Sequence, residues 1–174
     1  MSHLLRPTYH DRRKAAHRVD ADRFWVVLIG IDGYSSSPLR GCVADVEKMK
    51  DFLTVDLGVQ EDHIRCLVST QPSASPTRTN IIEALLSLSV DPRILHGDNI
   101  IIYFSGHGSS YFCADYYTNE IESTGCIEAI CPVDRAPRNS FRGSIPDISD
   151  RELNTILAEI FRTKGHHITC ILDC

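Results

Sequence analysis

Two short stretches of this chain carry the residue types best suited to chemistry. The first is the Ser-Gly-His-Gly sequence at 105–108, which ends an apolar run that begins at Asn99. The second is the Asp173-Cys174 pair, which ends another apolar run. A histidine can activate a nearby thiol, and a glycine N–H can stabilise an oxyanion. The two stretches together predict a nucleophilic site built around His107.

Structural roles compete with this interpretation. A histidine in an apolar strand is more often structural, but His107 stands between glycines at a strand end, where packing does not need an imidazole. A cysteine at a chain end is usually incidental, and Asp45, in the first turn of a helix, can serve as a dipole partner. Three nucleotide-binding or hydrolase motifs are absent: G-x-G-x-x-G after the first strand, the P-loop and G-x-S-x-G.

The elements that must position these residues alternate along the chain. Four short apolar runs are typical of buried strands. They span Phe24–Ile31, His63–Val68, Asn99–Ser105 and His167–Leu172. Segments with helical periodicity separate them, and this alternation predicts an α/β fold with a mostly parallel sheet and helices on both faces. The carboxyl ends of such strands meet at one rim, where ligands bind.

Three helices are predicted from their start signals and apolar spacing. The first lies near Val43–Leu53, and the second is capped by Thr79 or Asn80 and runs to about Ser89. The third begins at a capping box that starts with Ser149. The expected buried residues are Val43, Val46, Met49 and Leu53 in the first helix, Ile82, Leu85 and Leu86 in the second, and Leu153, Ile156, Leu157, Ile160 and Phe161 in the third.

The remaining segments have weaker signals. Residues 1–23 are basic and lack apolar periodicity, which predicts a flexible arm before a domain at 24–174. Residues 109–146 have no sustained period, and a long irregular segment in a compact domain is usually functional or mobile. Within that segment, Cys126–Val133 is expected to form a short hairpin or an edge strand.

Composition excludes several classes of protein. The net charge of -5 and pI near 5.9 do not favour nucleic-acid binding. The apolar runs are too short to cross a membrane, and the amino terminus lacks a secretory signal. Seven scattered cysteines without CxxC spacing argue against a zinc site or a disulfide framework. A reducing, cytoplasmic location fits best.

Four stretches resemble the large subunit of the caspase-like cysteine peptidases, and among them the metacaspases. They are Leu-Ile-Gly-Ile at 28–31, Leu-Arg-Gly-Cys-Val-Ala-Asp at 39–45, Tyr-Phe-Ser-Gly-His-Gly at 103–108 and Ile-Leu-Asp-Cys at 171–174. The resemblance extends from Phe24 to the last residue. It implies a caspase-like sheet with the predicted strands in the order second, first, third, fourth. This sheet would be incomplete, because the strands of the small subunit are missing.

The resemblance also implies roles for individual residues. His107 matches the catalytic histidine, and Gly108 would offer the oxyanion N–H. Four residues match the lining of the metacaspase specificity pocket: Cys42, Asp45, Ser105 and Asp173. Two carboxylates in a narrow pocket favour a guanidinium or ammonium group. The resemblance therefore implies an endopeptidase that cleaves protein substrates after Arg or Lys, and a link to programmed cell death.

This chain departs from the family pattern at two places. Cys174 occupies the position just before the nucleophilic cysteine, so we expect the chain to be an inactive fragment whose nucleophile lies one residue further on. Many metacaspases bind calcium through acids that follow the histidine strand. Acids in this region are Glu120, Glu122, Glu128, Asp134, Asp147 and Asp150. Ile127, however, stands where a family ligand is expected, which argues against calcium as a cofactor.

Two other functions fit the same sequence. A non-catalytic caspase-like module that binds other proteins would show the same motifs, and the residue after Cys174 would distinguish it from the enzyme. A doubly wound domain that binds an anion rests on fold analogy alone.

Overall fold

The computed structural model describes residues 20–112, 126–136 and 143–174. Its strands are β1 Phe24–Gly30, β2 Ile64–Val68, β3 Asn99–Ser105, β4 Gly108–Phe112, β5 Cys126–Ile130, β6 Ile148–Ser149 and β7 Ile168–Asp173. Its α-helices are α1 Cys42–Asp51, α2 Arg78–Val90 and α3 Asp150–Lys164. Within the described residues, no helix is long and apolar enough to cross a membrane. Residues 1–19, most of the predicted arm, lie outside the described residues.

The main sheet confirms the predicted topology. Its four strands are parallel and lie in the order β2-β1-β3-β7. The register places Gly30 beside Ser105 and Ser105 beside Asp173. The carboxyl ends of β1, β3 and β7 are therefore level, which brings the two candidate stretches of the sequence to one rim.

The alternation of side chains along β1 and β3 builds two cores. Val27, Ile29 and Phe104 face the layer of α2 and α3. Val26, Leu28 and Tyr103 face α1. Because both faces of these central strands are buried, the strands need a continuous apolar run rather than an alternating one.

Two details of the predicted second helix are wrong, and Phe161 of the third helix is 56% exposed rather than buried. Helix α2 begins earlier than predicted: the N-cap is Thr77, whose hydroxyl accepts a hydrogen bond from the Asn80 N–H at 3.2 Å. Thr79 and Asn80 lie inside the helix. Its buried face is also rotated, with Ile81 and Leu88 fully or nearly buried and Leu86 exposed. The physical reason is that α2 packs against both the sheet and α3, and the directions of these two contacts decide which of its apolar side chains are covered.

The third helix begins as predicted. The Ser149 hydroxyl accepts from the Glu152 N–H at 3.2 Å, as an N-cap does. The Glu152 carboxylate does not complete the capping box, because it binds Arg78 of α2 at 2.6 Å instead. This ion pair ties the amino-terminal ends of the two neighbouring helices together.

A second, smaller sheet lies beside the main one. It is antiparallel, in the order β4-β5-β6. Part of the predicted Cys126–Val133 element is thus the middle strand of a sheet rather than an edge. Strand β4 had no sequence signal, because Gly108-Ser-Ser-Tyr-Phe is short and lacks β-branched residues. This strand begins one residue after His107, so the smaller sheet continues directly from the histidine.

Candidate active site

His107 lies in the two-residue turn between β3 and β4 and is held at three points. Its N–H donates to the Tyr34 hydroxyl at 2.9 Å, and its C=O accepts from the Cys131 N–H at 2.9 Å. Ring atom Nε2 is 2.7 Å from the Ser37 carbonyl oxygen. A carbonyl oxygen only accepts, so Nε2 carries the proton and Nδ1 is the basic nitrogen of the neutral ring. The geometry therefore presents one defined proton acceptor.

Tyr34 supports this arrangement from the loop after β1. Its side chain is buried, and its hydroxyl donates to the Cys131 carbonyl oxygen at 2.9 Å. Its ring lies 4.6 Å from the His107 ring, between centroids, with a 46° tilt. Burial raises the pKa of Tyr34 far above its usual value, so the hydroxyl keeps its proton. Sequence patterns gave no signal for this contact, because Tyr34 and His107 are far apart in the chain.

The glycines on both sides of His107 are explained by close approach. A Cβ on Gly106 would lie 2.6 Å from the Tyr34 hydroxyl oxygen, so any side chain there would displace Tyr34. A Cβ on Gly108 would lie 3.2 Å from the Cys174 sulfur. Cys174 is thus an exposed thiol beside the backbone that follows His107.

The four predicted pocket residues lie at the same rim, on the α1 side of the sheet. Asp45 and Asp173 line one shallow depression of about 360 Å³, together with Lys48, Met49, Phe52 and Tyr103. The Lys48 Nζ donates to Asp45 at 3.2 Å, so Asp45 already has a cationic partner on the surface of α1. Ser105 is buried at the end of β3, beside Asp173 of β7. Burial raises the pKa of the Cys42 thiol, which a hydrogen bond with Ser105 opposes. Cys42 is therefore a neutral thiol that contacts Ser105, and its chemistry is not that of an activated nucleophile.

Asp32 organises the start of α1, although no pattern in the sequence indicates this role. Its two carboxylate oxygens accept from the N–H groups of Cys42, at 3.0 Å, and Val43, at 3.3 Å. A carboxylate at this helix end satisfies N–H groups that have no partner within the helix and also complements the helix dipole. The loop after β1 consequently fixes α1, and with it Asp45, as well as the imidazole of His107.

A buried carboxylate, that of Asp147, lies directly before β6 of the smaller sheet. The Asp147 side chain is 2% exposed and accepts from Ser109 at 2.7 Å, from Arg135 at 2.8 Å and from the Tyr111 hydroxyl. It lines a cavity of about 730 Å³ that reaches Ser35 in the loop after β1. The charges of Asp147 and Arg135 compensate each other, so this cluster links β4 to the segment before β6.

The described acids do not fit a calcium site. Calcium takes six to eight oxygen ligands, whereas Asp147 already binds Arg135, and Asp134 accepts from the Arg78 N–H at 2.8 Å. The second oxygen of Asp147 is buried without a partner, but one free oxygen is far from a coordination sphere. Among the residues that the structure describes, no three His, Cys, Asp or Glu side chains are placed to hold a metal. Glu120 and Glu122 lie outside those residues.

Comparison with known proteins gives a consistent result. A family model described as the metacaspase, peptidase C14 domain matches residues 26–174. Metacaspase-6 of Arabidopsis thaliana is 39% identical over 110 residues, which is 62% of this chain and 28% of that protein. Metacaspase-1 of Botryotinia fuckeliana is 32% identical over 153 residues, which is 84% of this chain and 32% of that protein. This chain thus spans about a third of the length of these relatives.

One solved structure supports the fold alone. The crystal structure of protein GSU0716 from Geobacter sulfurreducens superimposes with a TM-score of 0.58 at 19% identity. The match covers 86% of this chain and 48% of that one.

Proposed function

Because this chain belongs to the metacaspase family of C14 peptidases, we propose that it forms the histidine-bearing part of a cysteine endopeptidase that cleaves after Arg or Lys. One observation carries the proposal: His107, with a single defined proton acceptor, lies at the same sheet rim as the paired carboxylates Asp45 and Asp173. In this proposal His107 carries the chemistry, and Asp45 and Asp173 carry the specificity at the same rim.

The proposed reaction uses a thiol that follows Cys174 in the parent protein. Nδ1 of His107 accepts the thiol proton, and the thiolate attacks the carbonyl carbon of the scissile bond. The Gly108 N–H donates to the oxyanion that forms. His107 then gives its proton to the leaving amine, which leaves an acyl-enzyme thioester that water hydrolyses. The Ser37 carbonyl oxygen accepts a hydrogen bond from the Nε2–H group and thereby stabilises the imidazolium form of His107.

The proposed specificity follows from charge. A basic side chain of the substrate would lie between Asp45 and Asp173, where it gains charge-assisted hydrogen bonds and competes with the exposed Lys48 for Asp45. An acidic side chain would be repelled by the same two carboxylates. The proposed partners are consequently a protein substrate with a basic residue and the small subunit that would pair with the main sheet. A reducing, cytoplasmic compartment completes the proposal, because catalysis needs a free thiol.

The test uses the full-length protein and fluorogenic peptides that end in Arg, Lys or Asp. We expect Arg and Lys peptides to be cleaved and His107→Ala to abolish turnover. Asp173→Asn and Asp45→Asn should each lower kcat/KM for Arg peptides about tenfold to a hundredfold, since a hydrogen bond to a charged group is worth about 1.5–3 kcal/mol. The exposed Asp56→Asn serves as the matched control and should change nothing. Equal cleavage after Asp and Arg would contradict the acidic pocket.

The isolated chain provides a second test. We expect residues 1–174 to cleave no Arg peptide, with or without calcium, because the proposed nucleophile is not among them. Turnover that Cys174→Ala abolishes would assign the nucleophile to Cys174 and contradict the proposal. A residue other than cysteine after position 174 of the parent chain would favour the interaction module.

A further inference from the structure

The backbone ladder between β4 and β5 is irregular at the candidate catalytic histidine. These strands are antiparallel, with Gly108 opposite Ile130. The next pair along the ladder is His107 and Cys131. One of the two hydrogen bonds expected for this pair is present, because the Cys131 N–H donates to the His107 C=O at 2.9 Å. In a regular pair, the His107 N–H would also donate to the Cys131 C=O. It donates instead to the hydroxyl of Tyr34.

The Tyr34 hydroxyl is inserted into this step of the ladder. Its oxygen accepts from the His107 N–H at 2.9 Å and donates to the Cys131 C=O at 2.9 Å. One hydroxyl thereby satisfies both backbone groups that a direct bond would have joined. The side chain of Tyr34 thus replaces one of the two direct backbone hydrogen bonds of this pair, while the other, from the Cys131 N–H to the His107 C=O, is kept.

We propose that Tyr34 is the positioning residue of the catalytic histidine: its hydroxyl, inserted between His107 and Cys131, sets the direction in which the imidazole leaves the backbone. The proposal rests on the function proposed above. The same loop also supplies Ser37, whose carbonyl holds Nε2 of the ring at 2.7 Å. One loop therefore fixes both the backbone and the ring of His107. Gly106 leaves the space for the hydroxyl, since a Cβ there would lie 2.6 Å from it.

The simpler explanation is that Tyr34 only fills the core. Tyr34→Phe separates the two roles, because phenylalanine keeps the ring and its apolar contacts and removes only the hydroxyl. Without that oxygen, the His107 N–H and the Cys131 C=O either stay unpaired or bond directly to each other. If the hydroxyl positions His107, we expect the residue to move relative to the Ser37 carbonyl in Tyr34→Phe and the preference for a proton on Nε2 to weaken.

NMR on the full-length protein tests this without any measurement of activity. In Tyr34→Phe we expect the His107 amide to exchange about tenfold faster relative to the mean of the β3 amides, the effect of losing one buried hydrogen bond. The His107 ring nitrogens should shift toward a mixture of the two tautomers. Tyr111→Phe is the matched control, since it removes a hydroxyl that binds Asp147 in the smaller sheet. An unchanged His107, or an equal acceleration of all amides, would overturn the proposal.

Kinetics on the full-length protein provide the second readout. We expect Tyr34→Phe to lower kcat about tenfold to a hundredfold, because small misplacements of a catalytic group cost this much, with KM changed less than about twofold. The limb of the pH–rate profile that reports the imidazole should shift, and Tyr111→Phe should not shift it. An unchanged kcat in an active enzyme would overturn the positioning role. If the wild-type protein has no peptidase activity, the proposed function fails, while the NMR measurement still decides the role of Tyr34.

Discussion

At the scale of single residues, the polar groups buried in this protein anchor the loops that surround the sheet. Asp98, just before β3, is 4% exposed at its side chain and accepts from Arg23 at 2.9 Å, from Trp25 at 3.2 Å and from the Leu95 N–H at 2.9 Å. Burial alone would raise the pKa of this carboxyl, but the three hydrogen bonds outweigh it and lower the pKa below its usual value. Asp98 is thus a buried charge that the fold stabilises.

This network predicts a pH-dependent loss of stability in Asp98→Asn. A lowered pKa in the folded state contributes stability that is present above the unfolded value, about 3.9, and is lost as pH falls through the folded value. We expect the variant to lose about 1.5–3 kcal/mol of unfolding free energy at pH 7, and the difference from wild type to shrink at pH 3. Urea unfolding at both pH values measures it. Asp56→Asn, at an exposed site, is the control, and an equal difference at both pH values would contradict the prediction.

At the scale of elements, the residues that cap α2 and α3 also lie at contacts with the smaller sheet. Thr77 is the N-cap of α2. The residue before it, Pro76, accepts a hydrogen bond at its carbonyl oxygen from the N–H of Val133, which follows β5, at 3.1 Å. Ser149 begins α3 at the end of β6. Each cap therefore fixes a helix and, at the same time, a connection to the smaller sheet that follows His107.

The position of the α2 cap is directly testable. Replacing an N-cap threonine by alanine removes an acceptor for a helix N–H, so Thr77→Ala should lower the unfolding free energy by about 1 kcal/mol. Thr79→Ala is the matched control, because Thr79 is exposed inside the helix. It should be neutral or stabilise by a few tenths of a kcal/mol, about the difference in helix propensity. A larger loss in Thr79→Ala than in Thr77→Ala in thermal or urea unfolding would show that the helix begins later.

At the scale of the whole molecule, the main sheet ends in a strand with one exposed side. Among the described residues, β7 pairs only with β3, and the side chains of Ile171 and Leu172 are 38% and 53% exposed. Unpaired edges with apolar side chains are templates for pairing with another chain. The small subunit proposed above would cover this edge in the full-length protein.

The isolated chain should therefore self-associate. We expect its sedimentation coefficient to rise with concentration and Leu172→Lys to lower this dependence, since a charge blunts an exposed strand edge. Val55→Lys is the matched control, as Val55 is 79% exposed but lies after α1, outside the sheet. A wild-type chain that stays monomeric at high concentration, or an equal effect of both lysines, would contradict this prediction.

The sequence by itself determined the elements with local, repetitive signals. Continuous apolar runs predicted β1, β3 and β7 because strands buried on both faces have no polar side, and Ser149 marked the start of α3 because its cap is formed within one helical turn. Residues around His107 and Asp173 indicated the candidate site because their chemistry is unusual at strand ends. Their assigned roles came from resemblance and stay predictions.

Only the tertiary structure decided how that site is held together. Tyr34 is a turn residue by its sequence context, yet in space its hydroxyl lies between His107 and Cys131. Asp32 satisfies the first N–H groups of α1 from outside the helix. These hydrogen bonds join segments that are separate in the chain. The packing of the sheet and helices sets their geometry. Local periodicity carries no information about such contacts.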